Sequence, residues 1–177
     1  MEKEQLKYYE DIALSNYDIL NLLKGRVNIV LYPDLHKYKD IDDVLGKHNA
    51  CILLFEAKPH YGHWCAIFKN KKKELEFFNS YGGYPDDSLN YIPLHFAEVS
   101  NQLVPYLSIL MHNSPYELFY NEFAFQKHNK NTKTCGRHCV FRIMNKHVDI
   151  YEYKRILDNL CKKYKTDYDG VVTIMTT

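Results

Sequence analysis

Residues 50–57, ACILLFEA, form an apolar run that Glu56 alone interrupts, with polar residues on both sides. A short apolar run with these boundaries is typical of a strand that is buried on both faces of a sheet. Two later segments, HWCAIFKN at 63–70 and ELEFFNS at 74–80, flank a polar turn around Lys71. They predict a β-hairpin beside the buried strand. The sequence therefore favours a sheet that must be covered on both sides.

The covering elements are predicted to be helices. Helical patterns lie at 14–25, 94–111, 135–147 and 149–165. Ser15 or Asn16 suits the first N-cap, Pro105 predicts a break, and Asp149 with Glu152 forms a variant capping box. The aromatic segment at 116–126 predicts a further strand that ends near Gln126. We expect a single α+β domain over residues 1–177, with a central mixed sheet flanked by helices.

Composition narrows the class of protein. The 177 residues are 46% hydrophobic and 15% aromatic, which suits a sizeable core. The 23 basic and 22 acidic residues leave a net charge of +1, so nothing requires nucleic acid as the main ligand. The lysines at 71–73 predict a solvated turn, with a basic docking patch as the alternative.

The N-terminus and the cysteines predict a location. The first residues are charged and helix-like, unlike a signal peptide, and no apolar run is long enough to span a membrane. Five scattered cysteines are expected to be reduced thiols. We therefore expect a soluble intracellular protein without a membrane partner.

Cys135 is the candidate for chemistry. It follows a polar loop, NKNTKT, and opens the helical pattern at 135–147. The dipole and free N–H groups of a helix N-terminus are expected to lower the pKa of such a thiol. Gly136 would leave space for a substrate backbone near the sulfur. Cys139, one turn later, is expected to fill the core, as are Cys51, Cys65 and Cys161.

His63 and Asn79 are predicted to meet at one edge of the sheet. A turn centred near Lys71 places them opposite each other, and the period of two puts them on the same face. An amide beside an imidazole can fix its tautomer and orientation, as a general base requires. A surface histidine with a turn-forming asparagine is the alternative reading of the pair.

Two further expectations concern Gln126 and metal binding. A glutamine amide near a thiolate can donate to a developing oxyanion, which gives Gln126 a potential role. Zinc is the rival chemistry for two clusters, but neither has a strong zinc-ligand spacing. The reducing compartment disfavours a disulfide between Cys135 and Cys139. The clusters are His60, His63 and Cys65, and Cys135, His138 and Cys139.

These segments resemble the adenain and Ulp1-like cysteine proteases. GHWCAIF, LEFFNSYG and FQKHNKNTKTCGRH follow the family order of His-Trp, an acid or amide after an aromatic strand, Gln, and Cys-Gly. The resemblance covers residues 50–147. Asn79 stands where Asp is commoner, with Asp86 or Asp87 as alternatives, and the spacing between Gln126 and Cys135 is longer than usual.

The resemblance implies a papain-like fold with the nucleophile at the start of a central helix, and hydrolysis of peptide or isopeptide bonds. His63 would be the base, Asn79 its orienting partner, Cys135 the nucleophile and Gln126 the oxyanion donor. Trp64 would line a tunnel for small residues, and substrates would contain Gly near the cleavage point.

The expected function is a viral-type maturation protease that cuts structural precursors. A protease for ubiquitin or a ubiquitin-like modifier, and a non-catalytic or zinc-stabilised binding module, are the alternatives. We expect a monomer without a resident cofactor or metal, located in the host cytoplasm or nucleus, or in the virion if it is viral. Resemblance to adenain adds an activating peptide or DNA as a weaker expectation.

Overall fold

The apolar run at 50–57 lies in the second strand of a mixed sheet. The structure, a computed structural model, describes residues 1–71 and 73–177. Within these residues the sheet has five strands in the order β1-β2-β3-β4-β5. The outer pairs, β1 with β2 and β4 with β5, are parallel, and the inner pairs are antiparallel. The strands are β1 (Asn28–Leu31), β2 (Ala50–Lys58), β3 (Tyr61–Lys71), β4 (Glu74–Phe78) and β5 (Glu117–Tyr120).

Helices surround this sheet, which confirms the predicted α+β class. They are α1 (Lys3–Glu10), α2 (Asn16–Leu22), α3 (Ile41–Leu45), α4 (Leu94–Val99), α5 (Tyr106–His112), α6 (Cys135–Met144), α7 (Ile150–Tyr164) and α8 (Tyr168–Met175). Short 3₁₀ turns cover Tyr32–Lys37, Gly46–His48 and Asp87–Tyr91. No helix of the described residues is long and apolar enough to cross a membrane.

The predicted helix boundaries are largely confirmed. Ser15 accepts the Asp18 N–H as the cap of α2, and Asp149 accepts two N–H groups as the cap of α7. Pro105 separates α4 from α5. The local polar residues thus start and stop the helices as their hydrogen-bonding chemistry dictates.

The strands are buried on both faces because alternate side chains enter two different core layers. Leu54 and Trp64 pack in the layer that contains α6. Phe55 and Cys65, their strand neighbours, pack in the opposite layer. This two-sided burial explains why residues 50–57 show no polar alternation.

A buried ion pair fastens α6 to the sheet. Arg142 is fully buried, and its Nε and Nη2 donate to the two carboxylate oxygens of Glu76 in β4 at 3.0 and 2.8 Å. The guanidinium also lies over the rings of Phe68 and Tyr153. Burial raises the pKa of Glu76, although the bonds and charge of Arg142 act to lower it.

The hairpin register differs from the prediction by two residues. Ile67 lies opposite Phe77, whereas the predicted turn placed Cys65 there. Beside the turn Lys71 pairs with Glu74, so the hairpin turns later in the chain than predicted, and the irregularity between Lys69 and Lys71 brings the difference back to two residues. Because the difference is even, the predicted faces are correct. Lys72, in the predicted lysine turn, lies outside the described residues.

Two other predictions about elements were wrong or incomplete. The aromatic strand ends at Tyr120, so Gln126 lies in a loop and not at a strand end. Helix α8 was not predicted, although Asp167 accepts the Gly170 N–H as its cap.

Candidate active site

His63 and Asn79 are in direct contact at the edge of the sheet. His63 Nε2 lies 2.8 Å from Asn79 Oδ1. An amide oxygen only accepts, so His63 donates from Nε2, and Nδ1 carries the lone pair that could accept a proton. The contact was predicted from the shared face. It forms despite the shifted register because the observed pairing, continued past β4, makes His63 and Asn79 diagonal neighbours on the same face.

The backbone and side chain of Asn79 are held on several sides. Its Oδ1 also accepts the Tyr81 N–H at 3.0 Å, and its Nδ2 lies 3.4 Å from Ser88 Oγ. The side chain of Asn121 bonds both the N–H and the carbonyl of Asn79, at 3.1 and 2.7 Å. Asn79 therefore presents its amide oxygen to His63 in one fixed orientation.

Cys135 is the first residue of α6, as predicted. Its side chain is 9% exposed and lies in the core layer with Trp64. Cys139, one turn later, is fully buried and donates its S–H to the Trp64 carbonyl at 3.3 Å. The two thiols of the CGRHC motif therefore have different environments, and of the two residues only Cys135 lines the cavity described below.

The expected direction of the Cys135 pKa was wrong. Burial raises the pKa of the Cys135 thiol above its ordinary value, although the N–H groups of Trp64, Gly136 and Cys135 itself act to lower it. The helix N-terminus does favour the thiolate, but the loss of solvent outweighs it. Cys135 therefore rests as a neutral thiol.

His63 is also neutral at rest. Burial lowers the pKa of His63 to about 4, and the hydrogen bond to Asn79 opposes that shift only in part. His128 and His138 lower the pKa of His63 further. A neutral imidazole with a free Nδ1 can act as a base, whereas a protonated one cannot.

Gln126 lies beside these groups although it is not at a strand end. It is 3% exposed. Its Oε1 accepts the Ser80 hydroxyl at 2.7 Å, and its Nε2 donates to the Thr132 carbonyl at 3.2 Å. One Nε2 hydrogen is used by Thr132, so the second can serve another acceptor.

One cavity is lined by three of the four predicted catalytic residues, His63, Gln126 and Cys135, but not by Asn79. It has a volume of about 640 Å³. Leu14, Ile29, Leu31 and Leu54 give it an apolar wall. Its lining also includes His63, Trp64, Gln126 and Cys135.

Trp64 and Gly136 have packing roles that the sequence did not reveal. Trp64 Nε1 donates to the Leu14 carbonyl at 3.2 Å, which ties the N-terminal segment to the cavity. A Cβ on Gly136 would lie 3.2 Å from Trp64 Cδ1 and 3.3 Å from Leu14 Cβ. Gly136 therefore allows Trp64 and Leu14 to approach α6, and the space expected for a substrate backbone is filled by them.

Tyr81 and His128 belong to the site but were not predicted. The Tyr81 ring stacks on His63 and His128, with centroid distances of 4.9 and 4.3 Å. Burial raises the pKa of Tyr81 to about 12, with further contributions from Cys135 and Asp169. Tyr81 also lines a second cavity of about 670 Å³ that contains Asn79 and His128. These residues come from loops, which carry no periodic signal.

Asp86 and Asp87, the alternatives to Asn79 as the partner of His63, have other hydrogen-bond partners. Asp86 accepts the Tyr32 hydroxyl at 2.6 Å and the Ser108 N–H at 2.7 Å, and Asp87 accepts the Tyr84 N–H at 2.7 Å.

Across residues 1–71 and 73–177, no group of three or more His, Cys, Asp or Glu side chains could hold a metal ion. All five cysteines are free thiols.

Comparison with known proteins identifies a homologous protein. The chain is 58% identical over 173 residues to uncharacterized protein V9 of Sputnik virophage, covering 98% of this chain and 99% of V9. The chain belongs to the V9 family. This family therefore has a viral member. No family model matches the chain.

A solved structure also overlaps with this V9-family chain. It is the central domain of the uncharacterized Lpg1148 protein from Legionella pneumophila, at 16% identity and a TM-score of 0.40. The overlap covers 93% of each chain.

Proposed function

We propose that this protein is a cysteine endopeptidase of the adenain and Ulp1-like type, with a papain-like arrangement of its central helix. The observation that carries the proposal is the hydrogen bond between His63 and Asn79 at the edge of a cavity that also contains Cys135 and Gln126. A base, an orienting amide, a nucleophile and an oxyanion donor are the parts that acyl transfer requires.

The first half of the reaction is acylation. Nδ1 of His63 takes the Cys135 thiol proton as the sulfur attacks the substrate carbonyl, and a tetrahedral oxyanion forms. The free Nε2 hydrogen of Gln126 and the Cys135 N–H donate to this oxygen. His63 then returns the proton to the leaving amine, and the C–N bond breaks to give a thioester on Cys135.

The second half is hydrolysis. His63 removes a proton from water as the water attacks the thioester carbonyl, and the C–S bond breaks to release the acid and restore the thiol. Asn79 accepts the Nε2–H throughout and stabilises the imidazolium without a full charge. Since both His63 and Cys135 are neutral at rest, proton transfer accompanies the attack instead of preceding it.

The preferred biological role is maturation of viral precursors at sites with small residues such as Gly. The viral relative favours this role over removal of a ubiquitin-like modifier. The apolar wall of the cavity fits a substrate segment that carries an aliphatic side chain before the small residues.

The test is a cleavage profile. The full chain is incubated with a diverse peptide library, and the products are identified by mass spectrometry. Wild type is expected to cut after small residues, and Cys135→Ala is expected to abolish all cuts. Cys139→Ala is the matched control because it removes a thiol one turn away on the same helix, and it should retain the profile.

Each outcome has a clear meaning. Full turnover in Cys135→Ala would exclude the protease mechanism. Cuts confined to the tails of folded ubiquitin-like proteins would replace the maturation role with deconjugation. Lack of any cut by wild type, with no His63-dependent alkylation of Cys135 by iodoacetamide, would favour the non-catalytic module.

A further inference from the structure

Helix α6 begins without a side-chain cap, as do α1, α4 and α5, whereas α2, α3, α7 and α8 each have one. Thr134 precedes it with φ −96° and ψ 3°, and its side chain bonds none of the first-turn N–H groups. Threonine is ordinarily a good N-cap, from an extended backbone. Residues at four other helix starts are extended and accept a first-turn N–H: Ser15, Asp40, Asp149 and Asp167.

The Thr134 hydroxyl is bonded to Asp169 instead. Thr134 Oγ1 donates to Asp169 Oδ1 at 2.5 Å, and both residues are almost fully buried. The first-turn N–H groups of α6 therefore remain free of a side-chain competitor. Two of them, from Cys135 and Gly136, act on the Cys135 sulfur in the direction that lowers its pKa.

The same carboxylate reaches the loop that contains Gln126. Asp169 Oδ2 accepts the N–H of Lys127, the next residue, at 3.1 Å. His138 Nε2 lies 3.0 Å from Asp169 Oδ1. Asp169 thus joins the neighbours of the nucleophile and of the oxyanion donor from helix α8, which contributes no residue to the cavity that contains Cys135.

Asp169 keeps its charge in this environment. Burial acts to raise the pKa of Asp169, but the bond and charge of His138, with the bonds from Thr134 and Lys127, bring the pKa below its ordinary value. The second nitrogen of His138, Nδ1, is buried with no hydrogen-bond partner among the described residues. His138 therefore donates from Nε2 to the Asp169 carboxylate.

We propose that Asp169 is a positioning residue of the active site. It keeps the Thr134 hydroxyl away from the first-turn N–H groups of α6, and it holds the loop that contains Gln126 close to the start of that helix. This inference rests on the proposed function for the role of Cys135. Its immediate effect, free N–H groups at the sulfur, exists whether or not the protein cuts peptides.

The decisive experiment compares single and double variants. Asp169→Ala releases the Thr134 hydroxyl, which can then cap α6 and compete with the sulfur for N–H groups. The apparent pKa of Cys135, from the pH dependence of iodoacetamide alkylation followed by mass spectrometry, should rise by about one unit, and alkylation at pH 7 should fall about tenfold. The double variant Thr134→Val with Asp169→Ala has no hydroxyl to compete, so it should recover most of the lost rate.

The control is Thr173→Val. Thr173 is fully buried, and its hydroxyl donates to the Asp169 carbonyl at 2.8 Å, so this variant loses a buried bond of α8 without touching the carboxylate. Its Cys135 alkylation should match wild type. If Asp169→Ala does not fold, Asp169→Leu carries the same comparison, since it is of similar size and has no acceptor for the Thr134 hydroxyl.

The outcomes separate the two proposals. A double variant that alkylates no faster than its single parent would overturn the positioning role, because a purely structural loss is not repaired by removing a hydroxyl. Alkylation in Asp169→Ala equal to that of Thr173→Val would overturn it as well. If wild type cuts no peptide but the recovery is observed, the protease proposal fails while the role of Asp169 stands.

Discussion

At the scale of single residues, the site is governed by competition between burial and local hydrogen bonds. Burial lowers the pKa of His63 and raises that of Cys135, and in both groups it outweighs the bonds that favour the charged form. The resting pair is therefore a thiol and an imidazole, in contrast to the preformed ion pair of some thiol proteases.

This protonation state gives the first prediction. Alkylation of Cys135 by iodoacetamide should increase with pH through pH 9, the ordinary thiol value, because burial raises its pKa above that point. A preformed thiolate and imidazolium would instead react at a constant rate over about pH 5–8. Such a plateau, measured by mass spectrometry across a pH series, would contradict the neutral pair.

The second prediction concerns Asn79. Asn79→Asp places a carboxylate 2.8 Å from His63 Nε2, so the imidazolium is stabilised and the pKa of His63 should rise from about 4. NMR titration of the His63 ring measures this without any substrate. Asn101→Asp is the matched control, since Asn101 contacts His36 at 2.8 Å on the exposed surface, and it should leave the His63 titration unchanged.

Prediction of single residues from sequence succeeded where strand alternation applies, and it failed for side chains that reach the site from loops or from a distant helix. The face shared by His63 and Asn79 follows from the period of two, and the start of α6 follows from the polar loop before Cys135. Tyr81 and Asp169 reach the site from loops and a distant helix, so their contacts depend on tertiary packing that no local pattern encodes.

At the scale of elements, helix α6 is the part that the rest of the fold positions. Its start is bonded to α8 through Thr134 and Asp169, and its last turn is bonded to β4 through Arg142 and Glu76. Polar contacts at both ends fix its rotation as well as its distance from the sheet.

The third prediction tests the second of these contacts. Glu76→Gln leaves the fully buried Arg142 without its carboxylate, and an uncompensated buried charge costs about 3–5 kcal/mol of unfolding free energy. Urea denaturation measures the loss. Lys154→Ala breaks the half-exposed ion pair with Asp158 and should cost only about 0.5 kcal/mol. Comparable losses in the two variants would contradict a special role for the buried pair.

Three features of the secondary structure were not predicted, and each depends on contacts that no local sequence pattern encodes. The register of the hairpin depends on a bulge near its turn, and the end of β5 depends on where its partner β4 ends. Helix α8 is short, and its residues 170–173 are buried all round, so it lacks the amphipathic pattern that reveals a surface helix.

At the scale of the whole molecule, the sheet separates two core layers, and the site lies where one layer meets the end of the hairpin. Trp64 and Cys135 belong to the layer with α6, whereas His63 lies on the face of Cys65 in the other. Cys135 and His63 thus come from opposite sides of the sheet, and both line the same cavity. The cavity is therefore a product of global folding, and its stability is coupled to that of the molecule.

The fourth prediction follows from this coupling. The pKa of His63 is about 4 in the folded state against an ordinary 6.5, so the unfolded chain binds more protons between these values. The contribution of His63 to the unfolding free energy is then constant above about pH 6.5 and decreases as pH falls toward 4. His63→Gln keeps a side-chain donor for Asn79 but cannot titrate. Urea denaturation of both proteins from pH 8 to pH 4 should show wild type losing stability relative to the variant only below about pH 6.5, and a difference that is independent of pH would show that His63 is solvated in the folded molecule.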